Sequence, residues 1–278
     1  MAQRPRERRG PTRSGGPNTM CAMAVAPREA PRNSAPAPAG GPAPLYIVCS
    51  PSRRVGKTLV ARFLTEHHLA DGRPVVAHDL ADETPQLADF LPGHVASADI
   101  SDIRGQMALF DGLIAPNGAP KVIDVGHRAF GPFFAIVHKI GLFEEARRRG
   151  IEPVILFMID PDPKAEKAYS LLRRSFAGTA LLPARNLAVA KGLRYGDAFP
   201  HASTLAASLE ISELAPPLQS LVDRPGFSFA DFARRPPVGG PLSPKARDEL
   251  LGWIRRLRFQ LREIELCLIY EQILSGLR

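Results

Sequence analysis

Apolar positions in this chain switch repeatedly between continuous runs and a helical period. Leu45-Tyr46-Ile47-Val48-Cys49 contains no charged residue, as expected of a short strand covered on both faces. Behind it, Leu59, Val60, Phe63 and Leu64 recur at helical spacing, followed by His67 and His68, as far as Leu69. Ala70-Asp71-Gly72 then supplies a helix stop. Pro74-Val75-Val76-Ala77-His78 predicts a second strand ending in Asp79. Thr84-Pro85-Gln86 predicts a helix start running to Phe90-Leu91, and Val95 to Ile100 a third strand. Ile103, Met107, Phe110, Leu113 and Ile114 mark a helix closed by Pro116-Asn117-Gly118. Lys121 to Gly126 reads as a buried strand, and Phe130 to Arg149 as helix broken by Gly131-Pro132 and Gly141. Glu152 to Ile159 is the most apolar strand and ends in Asp160-Pro161-Asp162-Pro163. Lys164 to Phe176 is helical, and Thr179 to Leu182 opens a strand that reaches Arg185-Asn186.

Strands and helices that alternate from 45 to 187 predict an α/β fold, a mostly parallel, doubly wound sheet with helices on both faces. In such sheets ligands bind beyond the strands' carboxyl ends. Asp79, Asp124, Asp160 and Asn186 all fall at predicted strand ends of that kind. From 188 to 242 the pattern is irregular, with many prolines and the stretch Phe227 to Phe232. Ser243-Pro244 then gives an N-cap and a first-turn proline for a long helix to about Gly276. Its Leu250, Ile254, Leu257, Leu261, Ile264 and Leu268 form an amphipathic seam, interleaved with Arg255, Arg256, Arg258 and Arg262. The seam fits either a helix packed on its own sheet or one that dimerises or binds a protein partner, since apolar positions continue into Ile269, Ile273 and Leu277. The expected organisation is a tail over 1–43, an α/β domain over 44–242 and a C-terminal helix over 243–278.

Charge sharpens the picture of the tail. The 278 residues carry a net +8, but seven arginines lie within 1–43 against only Glu7 and Glu29. That stretch is also rich in Pro, Ala, Gly and Ser and cannot bury a core, so it is expected to be disordered. Met20 and Met23 are alternative translation starts. Read functionally, the tail is a weak, salt-sensitive arm for DNA or an acidic surface. No apolar run is long enough to span a bilayer, and Cys21 to Ala26 is too short for a secretory signal before Pro27. The three cysteines have no metal or disulfide spacing, which fits a reducing, cytoplasmic setting.

The chemistry concentrates behind the first strand. Val55-Gly56-Lys57-Thr58, between a strand and a helix, has the context of a phosphate-binding loop. Helix N-terminal N–H groups favour an anion there, Lys57 supplies charge to the outer phosphates, and the Thr58 hydroxyl can ligate Mg²⁺. Arg53 and Arg54 add charge to the loop or remain solvated. Asp124 fits a second-strand carboxylate that holds Mg²⁺, or an Asx turn. Asp79 could position an attacking water, or cap a turn. Asn186 could hydrogen-bond a base, or close a turn. Asp162 reads as the N-cap of the next helix. The histidines form no i, i+4 metal pair with an acidic partner, and no Ser/His/Asp or Cys/His arrangement is legible.

V-G-K-T after a strand, the segment A-D-G-R-P-V-V-A-H-D-L-A-D and the strand K-V-I-D-V-G together resemble the ParA/MinD group of P-loop ATPases over roughly residues 45–190. The resemblance implies ATP and Mg²⁺ as ligands and a positioning or assembly switch that can dimerise. It makes Lys57 and Thr58 the phosphate and Mg²⁺ ligands, Asp124 the metal-side carboxylate, Asp79 and Lys57 the catalytic pair, and Asn186 the adenine contact. Arg53, Arg54, Val55 and Gly56 complete the loop. The sequence also departs from the group. Pro51 replaces the first loop glycine, Ser52 the signature lysine, and Arg53 and Arg54 the glycines beside it. Ala81 replaces a second acidic residue, and Gly126-His127 replace the Pro after the later Asp. Weak hydrolysis is therefore expected. The alternatives are a catalytically inactive nucleotide-binding scaffold and an ATP-dependent ligase of the dethiobiotin-synthetase-like type, although His78-Asp79-Leu80 stands where such ligases carry Lys-Pro.

Overall fold

The structure is a computed structural model that describes residues 41–81, 86–192, 198–200, 208–236 and 242–276, the side chains of 272 and 274–276 excepted. Expectations for the tail up to residue 40, for Thr84-Pro85 and for Leu277 lie outside these residues. Seven strands build one sheet: β1 (Ala43–Cys49), β2 (Val76–Leu80), β3 (Val95–Ser97), β4 (Lys121–Val125), β5 (Ile151–Ile159), β6 (Ala180–Asn186) and β7 (Leu209–Ile211). Their order is β3-β2-β4-β1-β5-β6-β7, and every pairing is parallel. The α/β expectation holds, and the sheet is parallel throughout. Between them run α1 (Lys57–Ala70), α2 (Leu87–Phe90), α3 (Ile103–Leu113), α4 (Phe130–Ile140), α5 (Leu142–Arg148), α6 (Pro163–Ser175), α7 (Pro216–Val222), α8 (Phe229–Arg234) and α9 (Pro244–Gly276).

The continuous apolar runs follow from burial on both faces. In β1, Tyr46 and Val48 enter one core while Leu45, Ile47 and Cys49 enter the other. The first core is closed by side chains of α1, α2, α7, α8 and α9, the second by those of α3, α4, α5 and α6. Gly141 takes φ 62 and is both the C-cap of α4 and the N-cap of α5, so the predicted helix over 130–149 is two helices. The third strand is shorter than expected, Val95–Ser97, and the second extends one residue past Asp79 to Leu80. β1 lies between β4 and β5, so the chain's excursions to the two sides of the sheet diverge at β1, placing a crevice at its carboxyl end.

Within the irregular region, β7 forms a sheet edge whose backbone α9 covers. Gln260 donates Nε2–H to the Glu210 carbonyl (3.0 Å) and accepts the Glu210 N–H (2.6 Å). Trp253 Nε1 donates to the Ser212 carbonyl at 2.8 Å. A side-chain amide thus satisfies backbone groups at an otherwise open edge. All six residues of the α9 seam are buried. The outward face of the same helix exposes Phe259, Leu266, Ile269, Tyr270 and Ile273.

A buried ion pair ties α1 to α7 and α8. Arg62 Nε donates to Glu66 Oε1 (3.1 Å), and its other nitrogens donate to the Val222 and Phe227 carbonyls. The Phe90 and Phe229 rings lie 4.6 and 4.4 Å from the guanidinium carbon. Glu66 Oε2 accepts from Ser228 Oγ (2.8 Å) and the Ala230 N–H (3.0 Å). Each buried charge therefore has hydrogen-bonded partners, which burial of an ion pair demands.

Candidate functional site

The loop from Ser50 to Gly56 joins β1 to α1 at the crevice. The Ser52 N–H donates to Ser50 Oγ at 3.2 Å, turning the chain immediately after the strand. Arg54 then takes φ 55, the one positive φ at a non-glycine residue among those described, and Gly56 takes φ 100. At Arg54 the backbone thus turns left-handed despite a side chain that disfavours it. Gly56 has a second constraint: a Cβ on it would lie 2.9 Å from Asn186 Nδ2.

Gly56 also caps α1 without a side-chain acceptor, and the first turn of the helix holds no acidic residue. The helix's N-terminal N–H groups and the positive end of its dipole therefore face the loop with no side-chain acceptor capping them among the described residues, the arrangement an incoming phosphate exploits. Lys57 is buried, and its Nζ donates back to the Ser52 carbonyl at 2.6 Å. The ammonium is thus folded across the loop.

Beside it, Thr58 Oγ1 donates to Asp124 Oδ2 at 2.6 Å. Asp124 is fully buried on β4, in register with Val48 of β1. A hydroxyl and a carboxylate, both hard oxygen donors, fit Mg²⁺. The two residues that would hold the ion are already in contact, and the ion, when bound, would neutralise phosphate charge.

Asn186, at the carboxyl end of β6, reaches the loop from the other side. Its Nδ2 donates to the Val55 carbonyl (3.4 Å), and its Oδ1 accepts the Ala188 N–H (3.1 Å). The Val55 side chain is buried in the first core, so it meets the site through its backbone. Arg53, Arg54, Gly56, Lys57, Thr58 and Asn186 all line one cleft of about 710 Å³. His127 and Arg128, from the turn after β4, line it too, as do Gln219 and Asp223. Nothing in the irregular 188–242 pattern marked the last two.

Asp79 is placed differently. It pairs in register with Asp124 across β2 and β4, but its Oδ1 accepts the Ala81 N–H (2.9 Å) and its Oδ2 the Ala88 N–H (3.3 Å). The carboxylate caps the β2–α2 turn, and the residues lining the cleft do not include it. Burial pushes its carboxyl above the usual range, against those hydrogen bonds. Asp160 likewise serves its own turn, accepting the Asp162 N–H at 2.8 Å, and Asp162 is the N-cap of α6. Burial, with a smaller contribution from Asp124 and against the pull of Lys57, pushes the Cys49 thiol up and keeps it protonated.

A cluster the sequence did not suggest lies at the far end of α1. His67 and His68 there meet Glu265 of α9. Adjacent histidines in an apolar helix and a glutamate on another helix carry no spacing signal.

No helix among the described residues is long and apolar enough to cross a membrane. No protein-family model matches this chain, and no curated protein does. Among solved structures, the chain is similar to the MinC:MinD cell division protein complex of Aquifex aeolicus. The two are 16% identical, with 77% of this chain and 95% of that chain covered at a TM-score of 0.38. The likeness is coarse and adds nothing to the geometry of the cleft.

Proposed function

We propose that this protein binds a nucleoside triphosphate, ATP, together with Mg²⁺, and works as a ParA/MinD-like positioning or assembly switch with slow hydrolysis. The observation that carries the reading is the 2.6 Å contact of Thr58 with Asp124 beside Lys57 and the uncapped start of α1. Lys57 and the helix N–H groups would hold the phosphates, Thr58 and Asp124 the cation, and Asn186 the face of the cleft next to the base. Arg53 and Arg54 bring positive charge where the ParA/MinD pattern has glycines and its signature lysine is absent. Dimerisation, a protein partner on the outer face of α9 and contact of the basic tail with DNA or an acidic surface belong to the same proposal, as does a cytoplasmic setting.

A second reading, a nucleotide-binding scaffold without turnover, draws support from Asp79. Its two carboxylate oxygens are engaged by the Ala81 and Ala88 amides, so neither is turned to a water in the cleft. Thermal shift with ATP and with GTP, each with and without Mg²⁺, tests both readings. The expected result is an Mg²⁺-dependent rise in Tm with ATP that Lys57→Ala abolishes. No shift with either nucleotide overturns them together. Phosphate release then separates them: slow turnover supports the switch, and binding without release supports the scaffold.

A further inference from the structure

His67 and His68 close α1 about 15 Å along the helix from Lys57, at 1.5 Å per residue. Both are buried, His68 completely. Among the described residues, neither ring nitrogen of His68 has a hydrogen-bond partner, and neither does His67 Nδ1. A buried polar atom left in that state costs ~1–3 kcal/mol, and natural interiors satisfy such atoms with protein, water or an ion. Glu265 of α9 stands opposite. Its Oε2 lies 3.8 Å from His67 Nε2 and its Oε1 3.8 Å from His68 Nδ1. These gaps are too long for hydrogen bonds. One ligand atom from each of the three residues lies within 4.8 Å of the others.

We propose that His67, His68 and Glu265 form a binding site for a zinc-class divalent cation, distinct from the nucleotide cleft, that pins α9 to the end of α1. Two imidazoles and a carboxylate are a donor set that suits Zn²⁺, with a water as fourth ligand. Bonds of ~2.0–2.2 Å around a tetrahedral ion put donors roughly 3.4 Å apart, so donors that lie within 4.8 Å of one another need draw together by up to about 1.4 Å.

The protonation states also fit. Burial takes the His68 imidazole down to about 4, so at neutral pH its lone pair is available. Burial alone would raise the Glu265 carboxyl, but His67, His68 and Arg73 together hold it below its usual range, as a carboxylate. The Tyr46 ring stacks on His68 with centroids 5.9 Å apart and fixes that imidazole. Arg73 is the competing cation, 3.6 Å from Glu265 Oε1, and its side chain is 44% exposed and can turn to solvent. Asp71 contributes negative charge near His68. A metal here would tie the helix that begins at the phosphate loop to the helix that covers β7.

The test uses the full, tag-free chain, stripped with a chelator and titrated with ZnCl₂ by calorimetry in excess Mg²⁺–ATP. Co²⁺ serves as a spectroscopic substitute. One equivalent of metal is expected, with tetrahedral-type Co²⁺ absorption and a higher Tm. Glu265→Gln should weaken binding at least tenfold. His68→Phe, which keeps a ring under Tyr46, should do the same and is read alone if Glu265→Gln misfolds by circular dichroism. His138→Asn, a control at the end of α4, should change nothing. No stoichiometric binding by the wild type overturns the proposal, as does unchanged affinity in either folded site variant.

Discussion

Thr58 and Asp124 belong to different elements, the first turn of α1 and the fourth strand, yet their side chains meet at 2.6 Å. The contact exists because β4 lies directly beside β1, with Asp124 level with Val48, the residue before Cys49 at the strand's end. The sheet order thus brings the two hard oxygen donors together at the start of α1.

Asp124→Asn keeps the shape of that contact and removes its charge. A hydrogen bond to a charged group contributes ~1.5–3 kcal/mol, so the Mg²⁺-dependent part of ATP affinity should fall about tenfold to a hundredfold. Magnesium-free affinity should stay level. Calorimetry with and without Mg²⁺ measures both. Equal losses under the two conditions would assign Asp124 to loop architecture rather than to the cation.

Gly56→Ala meets two obstacles, φ 100 and the Asn186 amide 2.9 Å from the new Cβ. The left-handed backbone alone costs ~1–2 kcal/mol. Urea denaturation should show a loss of about 1–3 kcal/mol, together with loss of ATP binding. Adding Asn186→Ala should recover the steric part only. Arg54→Gly is the opposite experiment in the same loop. It removes a non-glycine residue from φ 55 and should leave stability unchanged or raise it by ~1 kcal/mol, while ATP affinity drops with the lost charge. A clear fall in stability would mean that the Arg54 side chain supports the fold.

Much of this architecture was legible because parallel strands buried on both faces are nearly continuous in apolar residues, with carboxylates such as Asp79 and Asp124 near their carboxyl ends, and each such run from Leu45 to Asn186 is a strand in the sheet. The loop was legible because Gly56-Lys57-Thr58 sits between elements of opposite period. Other parts had no local signal. β7 is three residues long, Leu209–Ile211, too short to show a period, and its identity rests on pairing with β6 and on Gln260 from α9. Arg62 carries no sequence signal of burial, yet it is buried because α7 and α8 supply carbonyls and aromatic rings. Asp79 reads as a cleft carboxylate until the Ala88 amide is seen to return to it. His67 and His68 gain their partner only when α9 crosses α1.

The two faces of α9 should respond differently to substitution. Leu257 is buried in the first core, so Leu257→Ala leaves a cavity and should cost about 2–5 kcal/mol in urea denaturation. Phe259 is 63% exposed on the other side, and Phe259→Ser should change stability by no more than ~0.5 kcal/mol. A large loss from Phe259→Ser would show that this face is already covered within the folded protein or its assembly.

The buried His68 predicts the acid behaviour of the metal-free protein. Its folded-state value of about 4 lies below the ordinary 6.5, chiefly through burial. Between those values the unfolded chain holds a proton that the folded protein does not, so stability rises with pH across that window. The contribution is complete above about pH 6.5 and is lost as pH falls toward 4. Each tenfold change in proton affinity is worth ~1.4 kcal/mol, so the contribution amounts to about 3 kcal/mol. Wild type and His68→Phe, unfolded in urea at intervals from pH 7 to pH 4, isolate it by difference. The variant should lose less stability on acidification, with the gap opening below pH 6.5. Parallel curves would mean that His68 keeps an ordinary affinity for protons, and its environment would then have to be more polar than its packing under Tyr46 indicates.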